Sequence, residues 1–265
     1  MCEMLGISSN QPASWREVLA PFKKRGGDNA DNPDGWGLAY RDSDNWQLEK
    51  RPEAAFQSDY FTALSNAVFT DLLIAHVRKA NPPSPYTLNN THPFLRDCCG
   101  RQWVFAHNGK VPEVTLPNGC CHPERSIPKG ETDSEHAFYY LLDEIAGTFN
   151  DVVTESNTPW LQTLAQLSES IAAYGQFNFL MSDGRYLIAY GHDRLYTLRR
   201  HHDGRHSALL ASEPLTDDEP WKALRAGELH VYQDGQLLGS LQTTPKAVCK
   251  IESQDNCTPP ETTEE

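Results

Sequence analysis

The chain has 265 residues, 38% hydrophobic and 22% charged, with 23 Lys and Arg against 36 Asp and Glu and a net charge of −13. That is length enough for one large domain with a well-buried core. No apolar run approaches the ~20 residues of a membrane-spanning helix. No dense Lys/Arg cluster offers a grip on a phosphate backbone or an anionic bilayer, so nucleic acid and membrane are set aside as partners.

A first strand is expected over 2–8, then a helix over 14–24, with Ser14 as its cap, Glu17 completing a capping box, and Val18 and Phe22 on one face. Gly26-Gly27 closes it. A loop rich in Asp, Asn and Pro leads to Asp34-Gly35-Trp36-Gly37-Leu38-Ala39-Tyr40, a strand whose glycines mark a close backbone approach or a bulge. Residues 46–51 alternate as its hairpin partner. Helical spacing over 59–69 groups Phe61, Leu64 and Val68. The apolar runs 72–77 and 103–106 read as buried strands, and the Pro- and Asn-rich loop 81–93 between them is of the kind that carries function. Helices are expected over 133–145 and 160–174. Strands follow over 177–181, 186–190, 195–198, 208–211, 229–232 and 237–241, with Asp183-Gly184 and Asp234-Gly235 as hairpin turns. From 243 onward Pro, Thr and Glu dominate, so 243–265 is read as an acidic, mobile tail behind one domain, 1–242. Strands in both halves with helices between them predict an α+β fold of two packed antiparallel sheets flanked by helices.

Seven cysteines, an odd number, and a start without a basic stretch before an apolar block point to a reducing, cytoplasmic setting. The pairs Cys98-Cys99 and Cys120-Cys121 lack the C-x₂₋₄-C spacing of structural zinc, and no metal is expected there. His76, His92 and His107 show no H-E-x-x-H or similarly close pair, which disfavours a metal hydrolase.

The second residue carries the most chemical information. If Met1 is removed, Cys2 bears a thiol of pKa near ~8.5 and a free α-amine near ~7.7–8.0, so the amine can act as base for its own side chain. Taken alone, Cys2 would serve equally as a small apolar strand residue. Arg78 ends the 72–77 strand and can grip a carboxylate with two parallel hydrogen bonds, or simply reach solvent. Asn108 and Gly109 can supply two donors to a developing oxyanion, or form the turn that Asn-Gly favours. Asp133 can hold an ammonium, or cap the helix it begins.

In order along the chain stand Met1-Cys2, Asp34-Gly35-Trp36-Gly37-Leu38-Ala39, His76-Val77-Arg78, Asn90-Thr91-His92-Pro93-Phe94, His107-Asn108-Gly109, Thr132-Asp133-Ser134-Glu135 and Ala211-Ser212-Glu213-Pro214-Leu215. Together they resemble a class II glutamine amidotransferase of the N-terminal nucleophile superfamily, in particular the stand-alone members without a fused synthase. The resemblance covers residues 1 to about 240 and implies a four-layer α-β-β-α sandwich. It implies Cys2 as nucleophile through a γ-glutamyl thioester, Asn108 and Gly109 as oxyanion donors, Arg78 on the substrate α-carboxylate and Asp133 on its α-ammonium. His92 is a further substrate-contact candidate. No cofactor is implied. The substrate would be glutamine or another γ-glutamyl amide, and delivery of ammonia to an acceptor would need a separate synthase subunit.

The chain departs from the family after Arg78. Fused members continue Trp-Ala-Thr and stand-alone relatives Lys-Ala-Thr, whereas here the run is Lys79-Ala80-Asn81-Pro82-Pro83. Two competing functions follow: a γ-glutamyl peptide or amide hydrolase that treats glutamine as a poor substrate, and a non-catalytic binding protein on the same fold. The joint presence of Cys2, Arg78, Asn108 and Asp133 speaks against the second.

Overall fold

The computed structural model describes residues 1–80, 86–111, 128–149 and 158–245. Thirteen strands and four α-helices alternate along them. The first half contains β1 (Glu3–Ser14), α1 (Arg16–Arg25), β2 (Trp36–Asp42), β3 (Asn45–Arg51), α2 (Asp59–Ala67), β4 (Phe69–Val77), β5 (Phe94–Cys98) and β6 (Arg101–Lys110). The second contains α3 (Asp133–Ile145), α4 (Pro159–Ala172), β7 (Gln176–Ser182), β8 (Leu187–Gly191), β9 (Tyr196–His202), β10 (Arg205–Ala211), β11 (Lys222–Ala223), β12 (Glu228–Gln233) and β13 (Gln236–Gln242).

The strands form two sheets, ordered β11-β9-β10-β1-β4-β2-β3 and β13-β12-β8-β7-β6-β5. Every pairing is antiparallel. Side chains alternate across each strand, and that alternation builds three cores. Leu5, Ile7, Trp36 and Leu73 pack under Val18, Phe22 and Phe61 of the first helix pair. Trp103, Phe105, Phe177 and Phe179 pack under Phe138, Leu142, Trp160 and Leu164 of the second. Met4, Ile74, Val104, Ala106, Leu180 and Leu210 fill the space between the sheets. The layers run α-β-β-α, as the resemblance implies. No helix among the described residues is long and apolar enough to cross a membrane.

Tertiary pairing overrides the expected start of α1. Ser14 is the last residue of β1, paired with Phe69 beyond a register shift between Ser8 and Ala13. The helix follows Trp15, which makes no side-chain cap and instead donates its indole N–H to the Thr70 carbonyl at 2.8 Å. Glu17 pairs with Arg200 at 3.0 Å. Both β5 and the two-residue β11 escape the sequence reading. In β5 a buried Arg96 breaks the apolar alternation: its guanidinium stacks over Tyr139, 4.2 Å from the ring centre, and bonds Asp143 at 2.6 Å. At the far end, Thr243 donates its N–H to the Gly227 carbonyl and Thr244 to Glu169, so hydrogen bonds to the body of the protein continue past 242. The remainder of the expected tail, 246–265, lies outside the described residues.

Candidate active site

β1 delivers Cys2. Glu3 pairs with Val77 and Met4 with His76, so the register carried one residue further sets Cys2 opposite Arg78. Leu5 and Ile7 face α1, whereas Met4 lies between the sheets, and by alternation Cys2 shares its side. The Cys2 thiol accepts from the Lys79 N–H at 3.2 Å and donates to the Lys79 carbonyl at 3.4 Å. Burial pushes the thiol up, while the Lys79 amide, the N-terminal charge and the Arg78 guanidinium pull it down. Arg78 is itself buried. Burial lowers its pKa, with Cys2, Asp34 and Tyr86 opposing.

The Asp34-Gly35-Trp36-Gly37 motif holds this corner together. The Arg78 N–H donates to the Gly35 carbonyl at 2.8 Å, and the Asp34 N–H to the Arg78 carbonyl at 3.0 Å. Ala80 donates its N–H to the Asp34 carboxylate at 2.8 Å. Lys79, whose amide faces Cys2, is thus pinned on both sides. Gly37 passes under His92, where a Cβ would stand 2.1 Å from the His92 carbonyl oxygen. Of the two readings of this motif, close approach is the one realised.

Asn108 and Gly109 lie inside β6, paired with Asn178 and Phe177 of β7. The turn reading is therefore overturned, because β7 continues the ladder through both residues. Asn108 shares the inter-sheet side with Val104 and Ala106. Its Nδ2 stands 3.0 Å from Ser212 Oγ, and its Oδ1 is buried with no partner. Gly109 has φ +148°, and a Cβ would stand 2.0 Å from the Gln176 carbonyl oxygen. Gly109→Ala is expected to destabilise the protein by roughly 3–5 kcal/mol, combining backbone strain with a clash that parts β6 from β7. Urea unfolding measures this, and a loss below about 1 kcal/mol would mean that the strands separate there easily.

Asp133 begins α3 but is not its cap. Thr132 takes that place, its hydroxyl accepting from the Glu135 N–H at 3.2 Å. The Asp133 carboxylate instead accepts from the N–H groups of Val111 and Ser134, both at 2.8 Å, which ties the start of α3 to the end of β6 beside Gly109. His107 faces the same helix, with Nδ1 2.8 Å from Ser134 Oγ.

His76, His92 and His107 form a buried group behind these residues. His76 stacks on His92 with ring centres 4.3 Å apart, and His92 meets Phe94 at a tilt, with ring centres 4.4 Å apart. Neither ring nitrogen of His92 has a hydrogen-bond partner. Burial is the main cause that lowers all three, His76 to about 3. They are neutral imidazoles at neutral pH.

A cavity of about 780 Å³ opens at the other end of β6, lined by Cys98, Cys99, Arg101, Arg41 and Asp183. Arg41 is engaged with Asp71 there and Arg101 with Asp183. The Cys98 and Cys99 sulfurs are 2.8 Å apart. Cys120-Cys121 and the divergent Asn81-Pro82-Pro83 lie outside the described residues. The sequence reading missed the Lys79 amide, the Asp34 clamp and the Ser212 contact. Ser212 stood in a noted motif without a role, and a backbone amide leaves no mark in a side-chain pattern.

The family model for glutamine amidotransferases class-II matches residues 1–206 and 202–256. The chain belongs to this family. It is 30% identical over 260 residues to YafJ of Escherichia coli (strain K12), covering 89% of this chain and 99% of that one. It is 26% identical over 252 residues to a gamma-glutamyl-hercynylcysteine sulfoxide hydrolase of Mycobacterium tuberculosis (strain ATCC 25618 / H37Rv), covering 91% and 97%. A crystal structure described as a predicted glutamine amidotransferase from Pseudomonas aeruginosa superposes with a TM-score of 0.65 at 28% identity, covering 89% and 99%. The phosphoribosylpyrophosphate amidotransferase of B. subtilis shares the fold, with a TM-score of 0.63 at 18% identity over 91% of this chain and 49% of that one.

Proposed function

We propose that this class II family member hydrolyses γ-glutamyl amides, with Cys2 as the nucleophile once Met1 has been removed. The placement of Cys2 carries the reading: it heads β1 against the Lys79 amide, opposite buried Arg78, with Asn108 on the same inter-sheet side. Loss of Met1 frees an α-amine whose pKa, near ~8, suits it to take the thiol proton. The sulfur attacks the side-chain amide carbon, and the oxyanion that forms is held by the Asn108 amide and the Gly109 N–H. Collapse expels ammonia or an amine, which leaves with the proton stored on the Cys2 amine. Water then gives its proton to that amine and attacks the γ-glutamyl thioester, releasing glutamate and the thiol.

Arg78 and Asp133 meet charges on the substrate that stay constant through these steps, the α-carboxylate and the α-ammonium. The neutral histidines behind Arg78 add no competing cation. Arg78→Ala and Asp133→Ala are therefore expected to raise KM about 10- to 100-fold, the value of a charged hydrogen bond, with kcat within a few-fold. Steady-state kinetics on γ-glutamyl p-nitroanilide separates the two constants. A fall confined to kcat would reassign both residues to the chemistry.

Amides bulkier than glutamine are the favoured substrates in this reading. The Mycobacterium relative is named for a γ-glutamyl conjugate, and the sequence departs from the family two residues beyond Lys79, whose amide meets the Cys2 thiol. Mass spectrometry first establishes that the mature protein begins at Cys2. Glutamate release is then compared for glutamine, γ-glutamyl anilide and γ-glutamyl dipeptides. Preference for the larger amides supports the hydrolase; fast turnover of glutamine alone supports an ammonia donor working with a separate synthase. Release from none of them rejects catalysis and leaves a binding protein on this fold.

A further inference from the structure

The Ala211-Ser212-Glu213 segment has no part in the mechanism above, yet Ser212 is completely buried at its centre. It follows β10 and extends the pairing with β1 by one rung, donating its N–H to the Met4 carbonyl at 3.1 Å. Its side chain is committed twice. Ser212 Oγ accepts from the Met4 N–H at 3.0 Å and stands 3.0 Å from the side-chain amide of Asn108.

A hydroxyl carries one hydrogen to donate and two lone pairs to accept with. Met4 N–H is only a donor, so it fills a lone pair and leaves the Ser212 hydrogen to be placed. With Nδ2 of Asn108 toward Ser212, that hydrogen finds no acceptor in the amide, and Asn108 Oδ1 stays buried with no donor. A half-turn of the amide exchanges its two ends at almost no change in shape. Ser212 O–H then donates to Asn108 Oδ1, the orphaned acceptor is satisfied, and both N–H groups of Asn108 take the position that Oδ1 vacates. The turned form satisfies the orphaned acceptor and the Ser212 hydrogen, and in exchange leaves the two amide N–H groups without an acceptor until a substrate oxyanion supplies one.

We infer that Ser212 is a positioning residue: pinned by the Met4 N–H, its hydroxyl fixes the rotation of the Asn108 amide so that N–H, not C=O, faces the reacting carbonyl. The same serine ties that donor to the strand carrying Cys2, two residues from Met4. With the amide reversed, Oδ1 would meet the developing oxyanion as a second acceptor and repel it. The inference rests on Asn108 being the oxyanion donor, and the test separates the two claims.

Ser212→Ala, Asn108→Ala and the double variant are assayed on γ-glutamyl p-nitroanilide in protein beginning at Cys2. Labelling of Cys2 by a γ-glutamyl diazoketone and thermal unfolding report the folded fraction. Expected results are a kcat loss on the order of 10²–10³ for Asn108→Ala, about 10- to 100-fold for Ser212→Ala with KM within about twofold, and a double variant no slower than Asn108→Ala alone. Ser212→Thr, which keeps the hydroxyl, is expected to retain most of kcat. Multiplicative losses in the double variant would assign Ser212 a separate structural role and overturn the inference, as would an unchanged kcat in Ser212→Ala. If Ser212→Ala does not fold, Ser212→Cys repeats the comparison with a weak donor of similar size, and a kcat equal to that of the parent overturns the inference. An unchanged kcat in Asn108→Ala would instead remove the oxyanion assignment itself, and the role of Ser212 with it.

Discussion

Cys2→Ala is expected to lower glutamate release from γ-glutamyl amides by a factor on the order of 10⁴ or more while leaving the fold intact. In the proposed mechanism the thioester route has no substitute, since the parts proposed for Asn108 and Arg78 are to stabilise charge and not to supply a nucleophile. The structural cost is small, because the thiol's hydrogen bonds among the described residues go to the Lys79 backbone, and the β1–β4 ladder begins at Glu3. Single-turnover assays with thermal unfolding measure both quantities. A chain that retains Met1 is expected to be equally inert and equally stable, its base locked in a peptide bond. Turnover surviving in Cys2→Ala would move the nucleophile elsewhere; collapse of the fold would make Cys2 a structural residue.

A steep loss of stability on mild acidification is the second large effect expected. His76, His92 and His107 are buried, and burial lowers each below the ordinary histidine value of 6.5. Below that value the unfolded chain binds protons that the folded chain refuses, so their stabilising contribution is complete above pH 6.5 and drains away as the pH falls. Each group costs about 1.4 kcal/mol per pH unit in that range, so two or three of them remove roughly 3–4 kcal/mol by about pH 5.5. Glu3 and Asp183, raised by burial, act with the opposite sign, but their unfolded counterparts titrate closer to pH 4. Urea unfolding between about pH 7.5 and 5.5 reads the slope. His92→Phe tests the origin: it should flatten the curve by about one group's share, since neither His92 nitrogen has a partner to lose. A flat profile in the parent would mean that the three rings take up protons without unfolding.

Much of the fold is legible in the sequence because it rests on local regularities. Period-2 runs announce the strands of both sheets, and Asp183-Gly184 and Asp234-Gly235 sit at their turns with the positive φ that such turns demand at Gly184, Asp234 and Gly235. The misreadings share one physical origin. Ser14 has the chemistry of a helix cap, but pairing with Phe69 draws it into β1. Arg96 looks like a break in a strand, but α3 supplies Asp143 and the Tyr139 carbonyl to receive it. Asn108-Gly109 has the composition of a turn, but β7 lies alongside and extends the ladder. In each case a partner distant in sequence outweighs a local preference worth about a kilocalorie or less.

The sequence by itself determined the order of the strands and helices apart from β5 and β11, the α+β class, and the residue types that the proposed γ-glutamyl site draws on: a thiol next to the N-terminus, a cation at a strand end, an amide and a carboxylate. Those properties are local or compositional, and they survive reading one residue at a time. Only the tertiary structure decided which of these groups meet. The β1–β4 register sets Cys2 opposite Arg78, the Asp34 clamp aims the Lys79 amide at the thiol, and Thr132, not Asp133, caps α3. Ser212 reaches Asn108 across 104 residues. Contacts of this kind arise when two sheets close over a shared core, and side-chain periodicity within one strand carries no record of what the facing sheet will bring.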